Sequence, residues 1–307
     1  MSSISRRILV SGGSGLLGTS LRRALAARDA QVLQLVRRDP VSAHELKWDP
    51  AAPSPVAGSA PMEGLTTAIH LSGASVAGRR WTPAYKWEME RSRVESTRAL
   101  AMVLAGLRQP PQAFLVASAS GIYGDRKDEI LDEQSGPGKG FLADLCRDWE
   151  AAAGPAEDAG IRVVHLRFGV VLAAGGGALA KMVPLFRLGL GGRLGSGKQW
   201  MSWISLADAV AAILFAMDTS GLAGPLNLTA PEPVTNARFT RALARAVHRP
   251  AILPAPAFAL RLLMGEMANE ALLASQRAVP ARLIAAGFQF AHPTVDGALA
   301  AALAPGA

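Results

Sequence analysis

The sequence predicts an α/β fold, a doubly wound parallel sheet followed by a small, mostly helical C-terminal region. Three observations predict it. An apolar run leads into Gly12, Gly15 and Gly18 and then into a helical pattern. Short apolar runs alternate with helical stretches as far as about residue 175, as parallel strands require, because each must be joined to the next by a crossover. Beyond that point strands become sparse, and from residue 250 the chain is mostly helical with turn signals.

The elements follow in order. A first strand ends at the glycines, and a helix runs over about 19–28. A second strand, VLQLV, covers 32–36. Residues 50–61, rich in Pro, Ala and Ser, predict a loop, and TAIHL predicts a strand over 67–71. The stretch AYKWEMERSRVESTRALAMVLAGL keeps helical spacing with no Gly or Pro before Gly106, which predicts one long helix. FLVA at 114–117 is a strand that ends in SASGIYGD. A helix over about 141–153 and a strand over 162–167 complete the alternation. After Gly175 the pattern loosens. LGLGGRLGSGKQ at 188–199 is a glycine-rich loop, followed by a helix at 206–216, a strand near 225–228 and a helix at 237–247.

Composition limits the function classes. Half the residues are apolar and 18% are charged, as in a folded globular chain. The single cysteine, Cys146, rules out an internal disulfide and a cysteine-based zinc site, and the five histidines are scattered, so no metal site is expected. No signal-peptide pattern opens the sequence, and no apolar run reaches spanning length; AILPAPAFALRLLMG comes nearest and is broken by Pro254, Pro256 and Arg261. A cytoplasmic location is the expectation. The net charge is +8 and the pI about 10.3. The arginines are dispersed in runs of at most two, so the excess reads as a basic enzyme surface with an anionic cofactor taking up part of the charge. The expected partner is a small-molecule substrate, with no nucleic acid and no membrane.

The glycines carry a physical argument. Gly12 can take a backbone conformation closed to other residues at a strand-to-helix turn, Gly15 lets backbone approach a pyrophosphate, and Gly18 allows helix to pack closely on strand. The helix N-terminus adds free N–H groups and partial positive charge. This is the Rossmann-type dinucleotide turn. At the end of the second strand, where an acidic residue would bind the ribose hydroxyls of NAD, stands LVRRDP. Arg37 and Arg38 can grip a 2′-phosphate, which favours NADP(H); the alternative is a solvated basic turn beside Asp39.

SGGSGLLG resembles the GxxGxxG fingerprint of the extended short-chain dehydrogenase/reductases. With HLSGA (70–74), RRWTPAYKWEMERSRVEST (79–97), WEAAA (149–153), LGLGGRLGSGKQWMSWI (188–204) and LLASQRAVPARLIAAGFQF (272–290), the chain resembles the YfcH-like epimerase family proteins, an atypical branch of that superfamily. The resemblance implies an NADP-binding Rossmann domain over 1–175, with returns to the sheet near 204–230. It also implies a substrate and C-terminal domain over 176–307 that includes a family module at about 250–303. Carried over by motif, Gly12, Ser14, Gly15, Leu16 and Gly18 surround the cofactor. Arg37 lies at its 2′-phosphate, with Arg38 adjacent. Leu71, Ser72 and Gly73 lie beside the adenosine, Arg93 on the facing helix and Val171 near the nicotinamide. For Arg93 the alternative is an intrahelical pair with Glu88 or Glu90.

The superfamily's Ser–Tyr–Lys chemistry is where the sequence departs. Ala119 stands at the serine position between Ser118 and Ser120, and alignment on Glu150 puts Leu142 and Cys146 at the tyrosine and lysine positions. The literal Tyr123-Gly-Asp-Arg-Lys127 follows a strand and contains Gly124, so no helix brings its two groups to one face. Ser120 is the remaining candidate catalytic hydroxyl. Asp125, Asp144 and Arg147 are polar candidates whose alternative is solvation or capping, and Cys146 reads as an apolar filler. Asp208 reads as a helix cap, while Arg193, Lys198, Gln199, Trp81 and Trp200 are candidate borders of a substrate pocket. The function implied is an NADP(H)-dependent oxidoreductase or epimerase-like enzyme of unidentified substrate. The alternative is an inactive NADP(H)-sensing protein.

Overall fold

The computed structural model describes residues 6–52, 54–56 and 60–304. The first half alternates strand and helix, as its apolar periodicity requires. β1 (Arg7–Ser11) leads through the glycine turn to α1 (Leu16–Ala26), then β2 (Gln31–Val36), β3 (Glu45–Lys47) and β4 (Thr67–His70). α2 (Pro83–Arg91) and α3 (Val94–Ala105) return the chain to β5 (Ala113–Ala119). The short β6 (Ile130–Leu131), α4 (Phe141–Ala151), α5 (Gly154–Asp158) and β7 (Arg162–Phe168) follow. The second half carries β8 (Val170–Leu172), α6 (Gly177–Arg187), β9 (Trp200–Met201), β10 (Trp203–Ser205), α7 (Leu206–Asp218), β11 (Gly224–Leu228), β12 (Val234–Thr235) and α8 (Asn236–Ala246). It ends with α9 (Ala257–Met264), a π-helical turn at Ala268–Leu272, β13 (Arg277–Ala278), α10 (Ala281–Ala285) and α11 (Val295–Leu303).

Seven strands form one parallel sheet in the order β3-β2-β1-β4-β5-β7-β11. The order reverses between β1 and β4. The loops after these two strands therefore diverge to opposite faces and leave a crevice at the carboxyl ends, where open α/β sheets bind ligands. Because side chains alternate along a strand, Ile8, Val10 and Leu115 face one core with Leu21, Ile213 and Leu226. Leu9, Phe114 and Val116 face the other with Leu100, Leu104 and Trp149. A third core joins Leu179, Val183 and Phe186 of α6 to Trp203, Phe239, Leu243 and Leu299.

The fold class matches the expectation, and several elements correct it. α1 begins at Leu16, directly after the turn, rather than near residue 19. The predicted long helix is two helices, broken at Ser92 and Arg93. There the Ser92 Oγ donates to the Met89 carbonyl and accepts the Ala74 N–H, and Arg93, the cap of α3, is stretched to φ −111° and ψ −64°. A serine side chain that bonds to backbone competes with the helix ladder, and here it also ties in a neighbouring loop. The helix α6 was unforeseen, because glycines precede it and Pro184 lies inside it. Its signal was the apolar spacing of Leu179, Val183 and Phe186. Within the predicted loop 50–61, Val56 bridges to Trp48 and both are buried; residues 53 and 57–59 lie outside the described residues.

Candidate functional site

The site begins at the turn after β1. Gly12 has φ +72°, and a Cβ there would lie 2.7 Å from the backbone carbonyl of Leu71, so the turn is pressed against the loop that leaves β4. A Cβ on Gly18 would overlap the Gly12 carbonyl, which makes the α1–β1 approach possible only for glycine. Gly15, in contrast, is exposed and meets nothing nearer than 3.4 Å. It caps α1 with no side-chain hydrogen bond, and the first turn of α1 holds no acidic residue. The helix thus points unneutralised N–H groups into the crevice. Ser14 is exposed there, and Leu16 packs its Cδ atoms against Gly176 and Gly177 at the start of α6. Val171, half-buried on β8, places its carbonyl beside Gly177.

The two arginines after β2 have different surroundings. Arg38 is held by Glu45 on β3 through two hydrogen bonds of 2.9 and 2.6 Å. Arg37 is exposed and makes no side-chain hydrogen bond among the described residues. A third guanidinium, not singled out from the sequence, joins them, for Arg22 on α1 donates to the Gly13 carbonyl at 3.3 Å.

The loop after β4 is pinned from below. Leu71 and Ser72 pass over Gly12, and Gly73 packs against the Arg93 guanidinium, whose Cζ would be 3.3 Å from a Cβ at that position. Arg93 pairs with neither Glu88 nor Glu90. It is buried, donates to the carbonyls of Met89 and Ala74, and lies 5.0 Å over the Trp149 ring. Burial with no carboxylate partner lowers its pKa. Trp81 donates to the Val76 carbonyl and Tyr85 to the Ser75 carbonyl. The motif RRWTPAYKWEMERSR therefore shapes the loop 73–82, and Trp81 is a support of that loop rather than an open wall. Beneath it, His70 bridges Ser11 and Ser96 and is fully buried, which pushes its pKa down to about 4.

Past β5 the candidate catalytic segment turns in a 3-10 helix at Ser120–Tyr123. Ser118 and Ser120 face different partners. The Ser118 Oγ donates to Glu150 at 2.6 Å. Glu150 holds Arg167 through two 2.8 Å bonds, and Arg167 donates to the Tyr123 hydroxyl, whose single proton has two acceptors within reach, the Asn227 Oδ1 and the Asp132 carbonyl. Tyr123 is fully buried in this network and burial raises its pKa, while Lys127 turns out through a left-handed residue (φ 54°) to Asp125. The literal YxxxK is thus a buried strut and a surface ion pair.

Ser120 is buried, and its Oγ donates to the Gln276 Oε1 at 3.0 Å. Gln276, which sequence reading did not single out, lies in the ASQRAVP segment that pairs β13 with β6. Gly121 faces Leu142 and Cys146, with a Cβ there 3.5 Å from the Leu142 Cβ and 3.8 Å from the Cys146 Sγ. Cys146 is buried among Ile122, Tyr123 and Leu131, and burial pushes its thiol up to about 12, so it stays protonated and unreactive. The Leu142 N–H is bonded by Glu270, from the π-helical turn, and the left-handed Gly140 (φ +111°) makes room for that carboxylate.

The remaining candidates have local partners. Asp144 and Arg147 pair with each other on the exposed side of α4. Asp125 accepts the Ser275 N–H. Gln199 donates to the carbonyls of Leu194 and Leu272, Trp200 to Asp128, and Arg193 and Lys198 are exposed. Ser205 is the cap of α7, while the buried Asp208 accepts the N–H groups of Ala291 and His292. Among the described residues no group of three or more His, Cys, Asp or Glu could hold a metal, and no helix is long and apolar enough to cross a membrane. A surface hollow of about 300 Å³ lined by Arg6, Leu25, Arg28 and Asp218 sits at the amino end of β1, opposite the crevice.

Comparison with known proteins gives a consistent result. Residues 8–228 match the NAD dependent epimerase/dehydratase family, and residues 255–302 match a domain of unknown function, DUF1731. Epimerase family protein ML0860 from Mycobacterium leprae is 45% identical over 304 residues, covering 97% of each chain. The crystal structure of human epimerase family protein SDR39U1 (isoform 2) with NADPH superposes with a TM-score of 0.88 at 34% identity, over 96% of this chain and 98% of that one. A nucleoside-diphosphate sugar epimerase from Corynebacterium glutamicum superposes with a TM-score of 0.80 at 35% identity, over 96% of this chain and 57% of that one.

Proposed function

The chain belongs to the NAD dependent epimerase/dehydratase family, as an atypical extended short-chain dehydrogenase/reductase, and from that premise we propose that it binds NADP(H) and acts as an oxidoreductase or epimerase-like enzyme on a small carbonyl or hydroxyl compound. The observation that carries the reading is the cradle itself, in which an uncapped, acid-free helix N-terminus meets a turn where Gly12 and Gly18 admit no Cβ. Such a turn suits a pyrophosphate. The relative solved with NADPH supports the choice of nucleotide.

Gly12, Ser14, Gly15, Leu16 and Gly18 would hold the pyrophosphate side. Arg37, free of an ion partner among the described residues, would meet the 2′-phosphate. Arg38 is spoken for by Glu45 and would contribute only by exchanging that partner. Leu71, Ser72 and Gly73 would flank the adenosine, with Arg93 bracing Gly73 from below, and Val171 would border the nicotinamide. When bound, the cofactor supplies hydride exchange. The chain's own part is to orient a substrate oxygen with Ser120, itself fixed by Gln276. Leu142 and Cys146 leave no proton relay of the usual kind, so the substrate's proton comes from a group other than the Tyr–Lys pair.

Titration of protein fluorescence with NADPH and NADH tests the cofactor. The expected result is tighter NADPH binding by about 10- to 100-fold, as a charge-assisted phosphate contact of roughly 1.5–3 kcal/mol would give. Arg37→Glu should abolish the difference, and equal binding of both nucleotides in the native protein refutes the NADP preference. A panel of carbonyl and hydroxyl compounds tests the reaction, with turnover expected to fall at least tenfold in Ser120→Ala. The apolar residues at the Tyr and Lys positions favour a second reading, a cofactor-sensing binding protein. Tight NADPH binding with no turnover across the panel would select it.

A further inference from the structure

Among the described residues thirteen large apolar side chains are prominently exposed, and eight of them lie between residues 185 and 263: Leu185, Leu188, Leu190, Ile252, Leu253, Phe258, Leu262 and Leu263. The segments that carry them lie side by side, and we treat their exposed apolar side chains together as one ridge. The segment after α6 runs beside the segment before α9, joined by the Leu194–Ala255 bridge and the Ala255-to-Arg193 hydrogen bond. Gly192 is pressed on the Leu253 carbonyl, and Gly195 is beside Ala257. The helix α9 continues the ridge and buries none of its residues. Phe258, Leu262 and Leu263 are 71–75% exposed, which is too open for the wall of a pocket and suits contact with an extended surface.

Beside the ridge runs a cationic stripe. A groove of about 700 Å³ is lined by Arg241, Arg245, His248 and Arg249, and the Arg249 Nε donates to the Arg187 carbonyl at the base of the ridge. Arg187, Arg193, Lys198 and Arg261 add to the positive charge, while no Asp or Glu occurs over 177–207 or 233–265. Among the described residues Arg238 and Arg245 pair with a carboxylate, Asp296, brought in from α11. Arg241 and Arg245 stand one turn apart on α8, His248 and Arg249 follow it directly, and the fold brings the end of α6 beside them.

We propose that this face docks on an anionic phospholipid bilayer, with the apolar ridge seated at the acyl boundary and the arginine groove on the phosphate headgroups. An apolar helix flanked by arginines is what interfacial binding requires. Charge selects this occupant over a second copy. A two-fold contact centred on the ridge would bring each cationic stripe toward the other with no carboxylate in these segments to pair them. This departs from the sequence expectation of no membrane partner, and the lack of a spanning helix among the described residues does not oppose it, because the contact needs only the interface.

Co-sedimentation of the full chain with phosphatidylcholine vesicles and with phosphatidylcholine–phosphatidylglycerol vesicles tests the inference. The protein should partition at least tenfold more strongly to the anionic vesicles, and raised salt should reduce this. Phe258→Ser combined with Leu262→Ser and Leu263→Ser should remove the binding, and Arg241→Gln with Arg249→Gln should weaken it. All variants should keep native NADPH affinity and an unchanged melting curve. No partitioning, or partitioning that the triple variant retains, overturns the inference. So does a dimer by light scattering that the triple variant converts to monomer, which would assign the ridge to a second copy.

Discussion

Gly12 meets two demands at once, a positive φ and contact with the Leu71 carbonyl, and both are written in its place between an apolar strand and a helix. Ser120 was equally legible as a hydroxyl at the end of β5, but its partner was not, since Gln276 lies 156 residues away. Arg93 was legible as a residue of interest, and its buried place under Gly73 was not, because its acceptors are carbonyls that no sequence pattern marks. At this scale His70 gives a pH prediction. The Ser96 Oγ spends its proton on the Ser92 carbonyl, so it accepts from the His70 Nε2, and the bare Nδ1 accepts from Ser11. The ring is therefore neutral, with a pKa of about 4 against 6.5 in the unfolded chain. Between these values only the unfolded state binds the proton, so the stability His70 provides is intact above pH 6.5 and declines toward pH 4, by roughly 3 kcal/mol. Urea unfolding at a series of pH values checks this, and His70→Gln should flatten the decline. Glu150 gives a second prediction. Removing it in Glu150→Ala leaves the buried Arg167 unpaired, and the loss of stability should be about 3–5 kcal/mol in the same assay.

Among elements, the periodic ones were legible and the interrupted ones were not. β1, β2, β5 and β7 announce themselves because their apolar runs serve two cores at once. The break between α2 and α3 is invisible to hydrophobic spacing, because Ser92 makes it by bonding to a loop. The N-terminus of α4 shows a similar dependence on the rest of the chain. Its cap position, Gly140, has no side chain to offer, and Glu270 supplies the carboxylate from the π-helical turn. Glu270→Ala should cost about 1 kcal/mol, the usual value of a lost cap, with Glu270→Gln recovering part of it in thermal melts. An unchanged melting curve in Glu270→Ala would show that water caps the helix as well.

Over the whole molecule, the segment matched as a separate domain is part of the central core. Leu283 and Phe288, both within residues 255–302, pack in the core that backs β1 and β11. Phe288 meets Phe215 of α7 edge-on at 5.4 Å. Asp208 ties Ala291 and His292 to the start of α7, and Ser202 bonds to Ala278. One cooperative urea transition is therefore expected for the full chain, with Phe288→Ala lowering stability by about 3–5 kcal/mol. A chain ending at residue 254 should lose that cooperative transition; a stable truncated protein would mean that the two parts fold independently. The sequence by itself determined the parallel sheet and the glycine turn, because side-chain period and glycine sterics are local properties. Only the tertiary structure decided that Gln276 meets Ser120, that Glu270 stands at Leu142, and that the end of α6 lies beside Arg249 and the segment before α9. Those are meetings between residues distant along the chain, and packing alone brings them together.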